Sequence, residues 1–282
     1  LQPFVSDGNI RLLNNPKKGV SAARNYGITQ SKMDYITFVD SDDFVDDNYL
    51  STFDSIIGSN HDMGITMITK SELQDENVDN AIIDLDSKTA SYMLLRNDSF
   101  EGYAVNKLFN KKILLNNQVM FNTELTHYED LLFCFEYLKY VNRIGFSQTK
   151  TYHYIDNPVS VMNSAKIGKN EFDFSKTGIL SLNKIWLLNK DEKIKLALIT
   201  RLVWENSMIS RQLYIESQNK VPHDSSIKLR CQSRDYIKGH LKVFLKNDIY
   251  GIRDKSIVLL DLLVPFLAYL LLKLKKGNFY YE

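Results

Sequence analysis

The chain has 282 residues, enough for one large domain or one domain with an appendage. Charged residues at 24% and hydrophobic ones at 44% exclude a disordered chain, and a formal net charge of +1 gives no reason to expect a nucleic-acid partner. The charge is uneven: Val221–Glu282 holds 11 Lys and Arg against 6 Asp and Glu, a local +5 on a mildly acidic body. That suggests either an anionic surface touching one end or a solvated helical face.

In chain order, Asn9–Leu13 reads as a short strand, and Ser21 is a candidate N-cap for a helix running to about Thr29. Tyr35–Val39 is apolar or β-branched at every position, which predicts a strand buried on both faces, as in a parallel sheet. A helix near Asp47–Ile57 and a strand at Met63–Ile68 follow, so the first part alternates strand and helix as βαβ units do. Asp75–Asp86 reads as an acidic loop or edge, and Tyr92–Leu95 and Lys107–Leu115 as helical pieces. Glu129–Val141 is a helix, Thr151–Ile155 a short strand, and the pattern beyond about Phe172 is helical throughout. No repeat period is evident. Trp186 and Trp204, at helical positions, read as core.

Two cysteines, Cys134 in the apolar run L-L-F-C-F and Cys231, form no metal-spaced pair and no disulfide framework, which fits a reducing compartment. The N-terminus carries no signal-peptide pattern and opens in mid-pattern, as the inside of a longer chain would.

The stretch Y-I-T-F-V-D-S-D-D-F-V (Tyr35–Val45) carries the chemistry. Ligands of open α/β sheets bind at the carboxyl ends of parallel strands, and Asp40, Asp42 and Asp43 emerge at such an end. Three carboxylates repel one another there, and a divalent cation offsets that repulsion; an Asx turn explains one or two of them but not the cluster. An EF-hand loop starting at Asp40 would need Gly and Glu where Val45 and Ser51 stand. A haloacid-dehalogenase-like phosphatase also places D-x-D after a buried strand, but with Thr or Val where Phe44 stands.

G-V-S-A-A-R-N (Gly19–Asn25) followed by F-V-D-S-D-D resembles the family 2 glycosyltransferases of the GT-A fold. V-N-K-L-F (Val105–Phe109), Y-E-D-L-L-F (Tyr128–Phe133) and Y-H-Y-I-D-N-P-V-S (Tyr152–Ser160) extend the resemblance, in order, across residues 9 to 165. It is similar above all to bacterial enzymes that build capsule, exopolysaccharide or cell-wall glycans. The resemblance implies an α/β fold with a GT-A (Rossmann-like) mixed sheet. Residues 1–165 would form a partial GT-A core, and residues 166–282 a helical C-terminal region. It implies that Asp42 holds Mn²⁺ or Mg²⁺ against the diphosphate of a nucleotide-sugar donor, a UDP-sugar above all, and that Asp40 contacts the ribose or the metal shell. Arg24 would reach the donor side as a cation, its alternative being an ordinary surface arginine. Asp130 would be the general base for an inverting displacement on a glycan or lipid-linked acceptor. Glu129, by contrast, sits in a T-x-x-E spacing from Thr126 and is expected to close a capping box. His153 is expected to be a hydrogen-bonded histidine and not a metal ligand; His127 is a weaker candidate for lining the acceptor site.

Two departures stand beside the resemblance. The P-x-Y-N-like turn and D-G-S-x-D-like segment that hold the nucleotide base in this family do not occur before Leu1, which predicts a piece of a longer open reading frame, N-terminally truncated. The stretch Ile257–Leu272 is apolar all round, too short and too interrupted by Asp261 and Pro265 to span a bilayer, and followed by Lys273, Lys275 and Lys276. Residues 257–276 are therefore expected to associate with a membrane surface, at the cytoplasmic face, unless they dock as a C-terminal helix. The remaining alternatives are a catalytically dead remnant acting as a membrane-bound partner, and the phosphatase.

Overall fold

A computed structural model of the protein describes residues 10–69, 81–155, 169–219 and 223–267. Helix α1 (Val20–Gln30) leads into β1 (Tyr35–Ile36), the short β2 (Phe44–Val45) and helix α2 (Tyr49–Gly58). Strands β3 (Met63–Thr69) and β4 (Ile82–Leu85) precede α3 (Ser87–Leu94), β5 (Lys107–Asn110) and α4 (Lys111–Asn116). After α5 (Glu129–Leu138) and the ten-residue β6 (Ile144–His153) come four helices: α6 (Lys169–Leu188), α7 (Glu192–Asn219), α8 (Asp224–Lys246) and α9 (Ile252–Leu263).

The described strands form one mixed sheet in the order β1-β5-β3-β6, with β2 and β4 sharing the outer edge of β6. Only β3 and β6 run parallel; every other pairing is antiparallel. The run M-G-I-T-M-I-T of β3 is flanked by strands on both sides, and its side chains are buried or half-buried throughout. Gly64 and Gly145 are partners in the β3–β6 register. A Cβ on Gly64 would stand 2.9 Å from Phe53, and one on Gly145 2.4 Å from Ile56, so this glycine pair is what lets α2 press onto the sheet. One apolar cluster runs from Ile65 and Phe109 in the sheet, through Phe133 of α5, to Leu182, Leu198, Phe244 and Val258 of the C-terminal helices.

Several local expectations change. Residues 10–13 are not a strand, and β1 ends at Ile36 with Val39 exposed; β1 pairs only with β5 among the described residues, so it is not the doubly covered strand its composition predicts. Lys107–Asn110 is a strand rather than a helix, because it pairs with both β1 and β3, and the helix begins only after Asn110, whose side chain caps it. The cap of α1 is Gly19, at φ 105°, and Ser21 lies buried inside the helix.

The segment expected at a membrane surface is described as far as Leu267. Its beginning is the second half of α9, with Ile257, Val258 and Asp261 buried in a helix packed on α7 and α8, so this part docks on the protein. Asp261, which seemed to interrupt an apolar run, accepts from Arg211 at 2.7 Å, and burial pushes its carboxyl up to about 6 against that pairing. Leu263, Val264, Phe266 and Leu267 then emerge exposed, and residues 268–276 lie outside the described residues. Among the described residues no helix is long and apolar enough to cross a membrane. Both tryptophans pack partly buried against the core, Trp204 stacked on Tyr250 at 5.0 Å between ring centroids.

Candidate active site

Two consecutive residues of α1 organise the centre. Asn25 exchanges two hydrogen bonds with the main chain of Phe121, at 2.9 and 2.8 Å, which fixes the helix against that segment. Arg24, its side chain 10% exposed, donates to Asp40 Oδ1 at 2.8 Å and to Asp130 Oδ1. Its guanidinium lies 5.3 Å from the ring centroid of Phe121 and 5.9 Å from that of Phe38. Burial works against this charge, but Asp130 and Asp40 outweigh it and hold the group protonated. Arg24 is thus no surface arginine.

Asp130 sits in the first turn of α5, 16% exposed. Its Oδ2 accepts from the Ala104 N–H at 3.0 Å. Burial raises its carboxyl above the usual carboxylate range, while Arg24 and the Ala104 amide pull it back. Burial, and then the charge of Asp130, push neighbouring Glu129 up to about 7. The two carboxyls therefore titrate as a pair.

The capping box expected around Glu129 does not form. Tyr128 is the cap residue, in the left-handed region at φ 59°, and Glu129 is the first helical residue, too early to reach back as an N3 acid. Thr126 faces Thr177 instead, at 3.1 Å between hydroxyls. The C-terminal helices hold this entry: the Ser181 hydroxyl donates to His127 O at 2.6 Å, and the Tyr128 hydroxyl donates to Glu205 at 3.0 Å. Beside them the buried Arg201 donates to Leu95 O at 3.0 and 2.8 Å and to Asn97 at 3.1 Å. His127 stacks on Tyr128 and approaches Glu205 at 3.9 Å, which places it under α6 and α7.

The D-S-D-D turn divides its carboxylates by role. Asp43 is committed to structure, accepting from the Tyr152 hydroxyl at 2.6 Å and from Ile155 N–H at 2.9 Å. The same tyrosine oxygen accepts from Asp40 N–H at 3.0 Å, so Tyr152 pins both ends of the turn. Asp40 remains 38% exposed, and Asp42 is exposed and hydrogen-bonded to no described residue. His153 Nε2 lies 2.8 Å from Asp46, and its ring is stacked on Phe44 at 4.2 Å.

No group of three or more His, Cys, Asp or Glu side chains suited to a metal ion occurs among the described residues. Two carboxylates, one with an oxygen that no described residue engages and one bonded to no described residue, nevertheless fit a hard cation such as Mg²⁺ or Mn²⁺, which keeps water and phosphate oxygens for its other positions. Sequence reasoning passed over Tyr152, Lys107, Arg201 and Glu205. The first two stand inside the quoted blocks Y-H-Y and V-N-K-L-F, and that was the available signal. The last two lie on a helix whose pattern gives no sign that these charged residues are buried.

The family sequence model described as Glycosyl transferase family 2 matches residues 1–114. EpsH of Bacillus subtilis (strain 168), named as a glycosyltransferase, is 26% identical over 155 residues, 52% of this chain and 45% of EpsH. The poly(ribitol-phosphate) beta-N-acetylglucosaminyltransferase TarP of Staphylococcus aureus (strain N315) is 26% identical over 150 residues, 53% of this chain and 46% of TarP. The chain spans about half the length of these curated relatives. In fold it is similar to the crystal structure of S. aureus TarS residues 1–349 in complex with UDP-GlcNAc, with a TM-score of 0.56 at 17% identity, covering 92% of this chain and 74% of that one. Residues 1–114 thus match the glycosyl transferase family 2 model, and the chain folds as a mixed α/β sheet similar to the GT-A fold of TarS, followed by a helical C-terminal region.

Proposed function

We propose that this chain is the catalytic part of an inverting, metal-dependent glycosyltransferase. It moves a sugar from a UDP-sugar to a glycan or lipid-linked acceptor of a surface polysaccharide. The observation that carries this reading is the position of Arg24, which brings the D-S-D-D turn and the Glu129–Asp130 pair to one guanidinium. Donor-side and base-side carboxylates therefore stand within one side chain's span, as a single displacement requires.

Asp130 accepts the proton of the acceptor hydroxyl as that oxygen attacks the anomeric carbon from the face opposite the leaving diphosphate. Two of its lone pairs are held by Arg24 and the Ala104 amide, which aim the carboxylate and leave its remaining ones for the hydroxyl. Asp42 and Asp40 would hold Mn²⁺ or Mg²⁺, which when bound supplies charge stabilisation to the departing diphosphate. Tyr152 keeps the turn in the shape that presents them.

UDP binding, measured calorimetrically with Mn²⁺ on the longest chain carrying these residues, tests the donor side. Asp42→Ala should weaken it about 10-fold or more while leaving the fold intact, since Asp42 bonds to no described residue. Unchanged metal-dependent affinity in that variant would remove Asp42 from the site.

The membrane part of the reading puts the protein at the cytoplasmic face, peripherally attached. It is supported by exposed Leu263, Phe266 and Leu267, followed in the sequence by Lys273, Lys275 and Lys276. Co-sedimentation with anionic vesicles should fall several-fold in a Leu263→Ser, Phe266→Ser double variant; equal binding by both proteins would refute this attachment.

A further inference from the structure

The block V-N-K-L-F contains a lysine that the proposed chemistry does not use. Lys107 opens β5, next to the centre of the sheet, and its ammonium is fully buried. Among the described residues no carboxylate bonds to it. Its three donors go to Glu101 O at 2.8 Å, Tyr103 O at 2.6 Å and Asn106 Oδ1 at 2.8 Å. The Asn106 amide in turn donates to Phe100 O at 3.0 Å and to Thr66 O at 2.8 Å, on the central strand β3. Two adjacent side chains thus bind three carbonyls of the loop 100–103 and anchor it to the sheet.

The next residue of that loop is Ala104, whose N–H reaches Asp130 Oδ2. The loop cannot take up slack on its other side. Gly102 lies so close to α5 that a Cβ there would stand 2.4 Å from Leu131 Cδ1 and 3.2 Å from its Cα. Glu101 bends back in the left-handed region at φ 52°. A lysine buried this way costs much solvation, and a neutral side chain would satisfy a sheet strand equally well. Its three-donor geometry has a local use only in holding carbonyls that point inward.

We infer that Lys107 is a positioning residue for the Asp130 carboxylate. With Asn106, it folds the loop 100–103 into the one path that presents the Ala104 amide to Asp130 Oδ2. The inference rests on the assignment of Asp130 as base, and it places the V-N-K block behind the catalytic carboxylate rather than in the donor pocket. Lys107 itself touches neither donor nor acceptor.

The test compares the intact protein with Lys107→Met, which keeps length and loses the donors, and with Ile194→Ala, a substitution of a buried α7 residue that controls for lost stability. Two readouts are needed, steady-state transfer from the UDP-sugar and amide hydrogen exchange resolved at Ala104. Lys107→Met should lower kcat about 10-fold or more with the KM for donor within about 2-fold, the mark of a misplaced catalytic group. Exchange at Ala104 should quicken by a similar factor relative to β3. Ile194→Ala should change neither selectively. If Ala104 exchange and kcat both stay at wild-type values in folded Lys107→Met, the positioning role is wrong. It is equally wrong if the loss appears only in KM, or matches that of Ile194→Ala. Should the wild-type protein transfer no sugar, the exchange measurement still judges the loop, and the transferase reading falls separately.

Discussion

Asp130→Asn is expected to reduce sugar transfer by about 10²- to 10⁴-fold, the range that general-base catalysis contributes, while UDP affinity changes little. The amide can still accept from the Ala104 N–H, so the loop contact survives in form. What it cannot do is take a proton from the acceptor. It also removes one of the two carboxylates that Arg24 bridges, so some loss of stability should accompany the loss of rate. The pH profile of kcat/KM in the unmutated protein checks the same assignment. Because burial raises both Glu129 and Asp130, their deprotonated forms, and with them activity, are lost as pH falls through a range above that of ordinary carboxyls. With Glu129 near 7, the acid limb should already be visible at neutral pH and should move in Glu129→Gln. An acid limb near the free carboxylate value, or transfer by Asp130→Asn within 10-fold of normal, would remove Asp130 from the role of base.

Arg201→Met should destabilise the protein by about 3 kcal/mol, because it strips the Leu95 carbonyl and the Asn97 side-chain oxygen of their charged donors. Arg201 is buried and donates three hydrogen bonds to Leu95 O and Asn97, while Glu205, one turn further along α7, is buried beside it at the Tyr128 hydroxyl. Without Arg201 the Leu95 carbonyl loses both donors that reach it. Against a total stability of roughly 5–15 kcal/mol, such a loss shifts the urea midpoint far or prevents folding outright. Arg201→Lys, which keeps the charge but lacks the planar fork of donors, should recover only part of the loss. A single variant within about 1 kcal/mol of wild type would show the cluster to be energetically idle.

Much of the site was legible because the informative residues lie in short runs. F-V-D-S-D-D announces a turn with spare carboxylates, and the ordered blocks Gly19–Asn25 and Tyr128–Phe133 supply the other two members of the Arg24 bridge. Which carboxylate does what was not legible. Asp43 and Asp42 are adjacent and chemically alike, and only the position of Tyr152, over a hundred residues on, commits one of them to structure. The same limit explains the capping box. The spacing of Thr126 and Glu129 fits a capping box, but tertiary contacts from α6 and α7 engage Thr126 and Tyr128, and Glu129 becomes the first helical residue instead of N3. Strand and helix were confused at Lys107–Asn110, where four residues are too few to show a period and the partners β1 and β3 decide. The apolar stretch after Ile257 misled for a related reason: hydropathy reports that a face must be covered, and cannot say whether lipid or α7 and α8 covers it.

Helix α7 carries a geometric consequence of its own. Arg201 and Glu205 stand beside the entry to Asp130, whereas Ser207 and Arg211 of the same helix grip Asp261 and so hold α9. Six residues separate Glu205 from Arg211, about 9 Å along one uninterrupted rod. Whatever the exposed end at Leu263–Leu267 rests upon, the Asp130 carboxylate keeps a set height and tilt above it. An acceptor anchored to that support would meet the carboxylate at a fixed distance from its anchor, so its reach would be measured by the protein rather than found by diffusion.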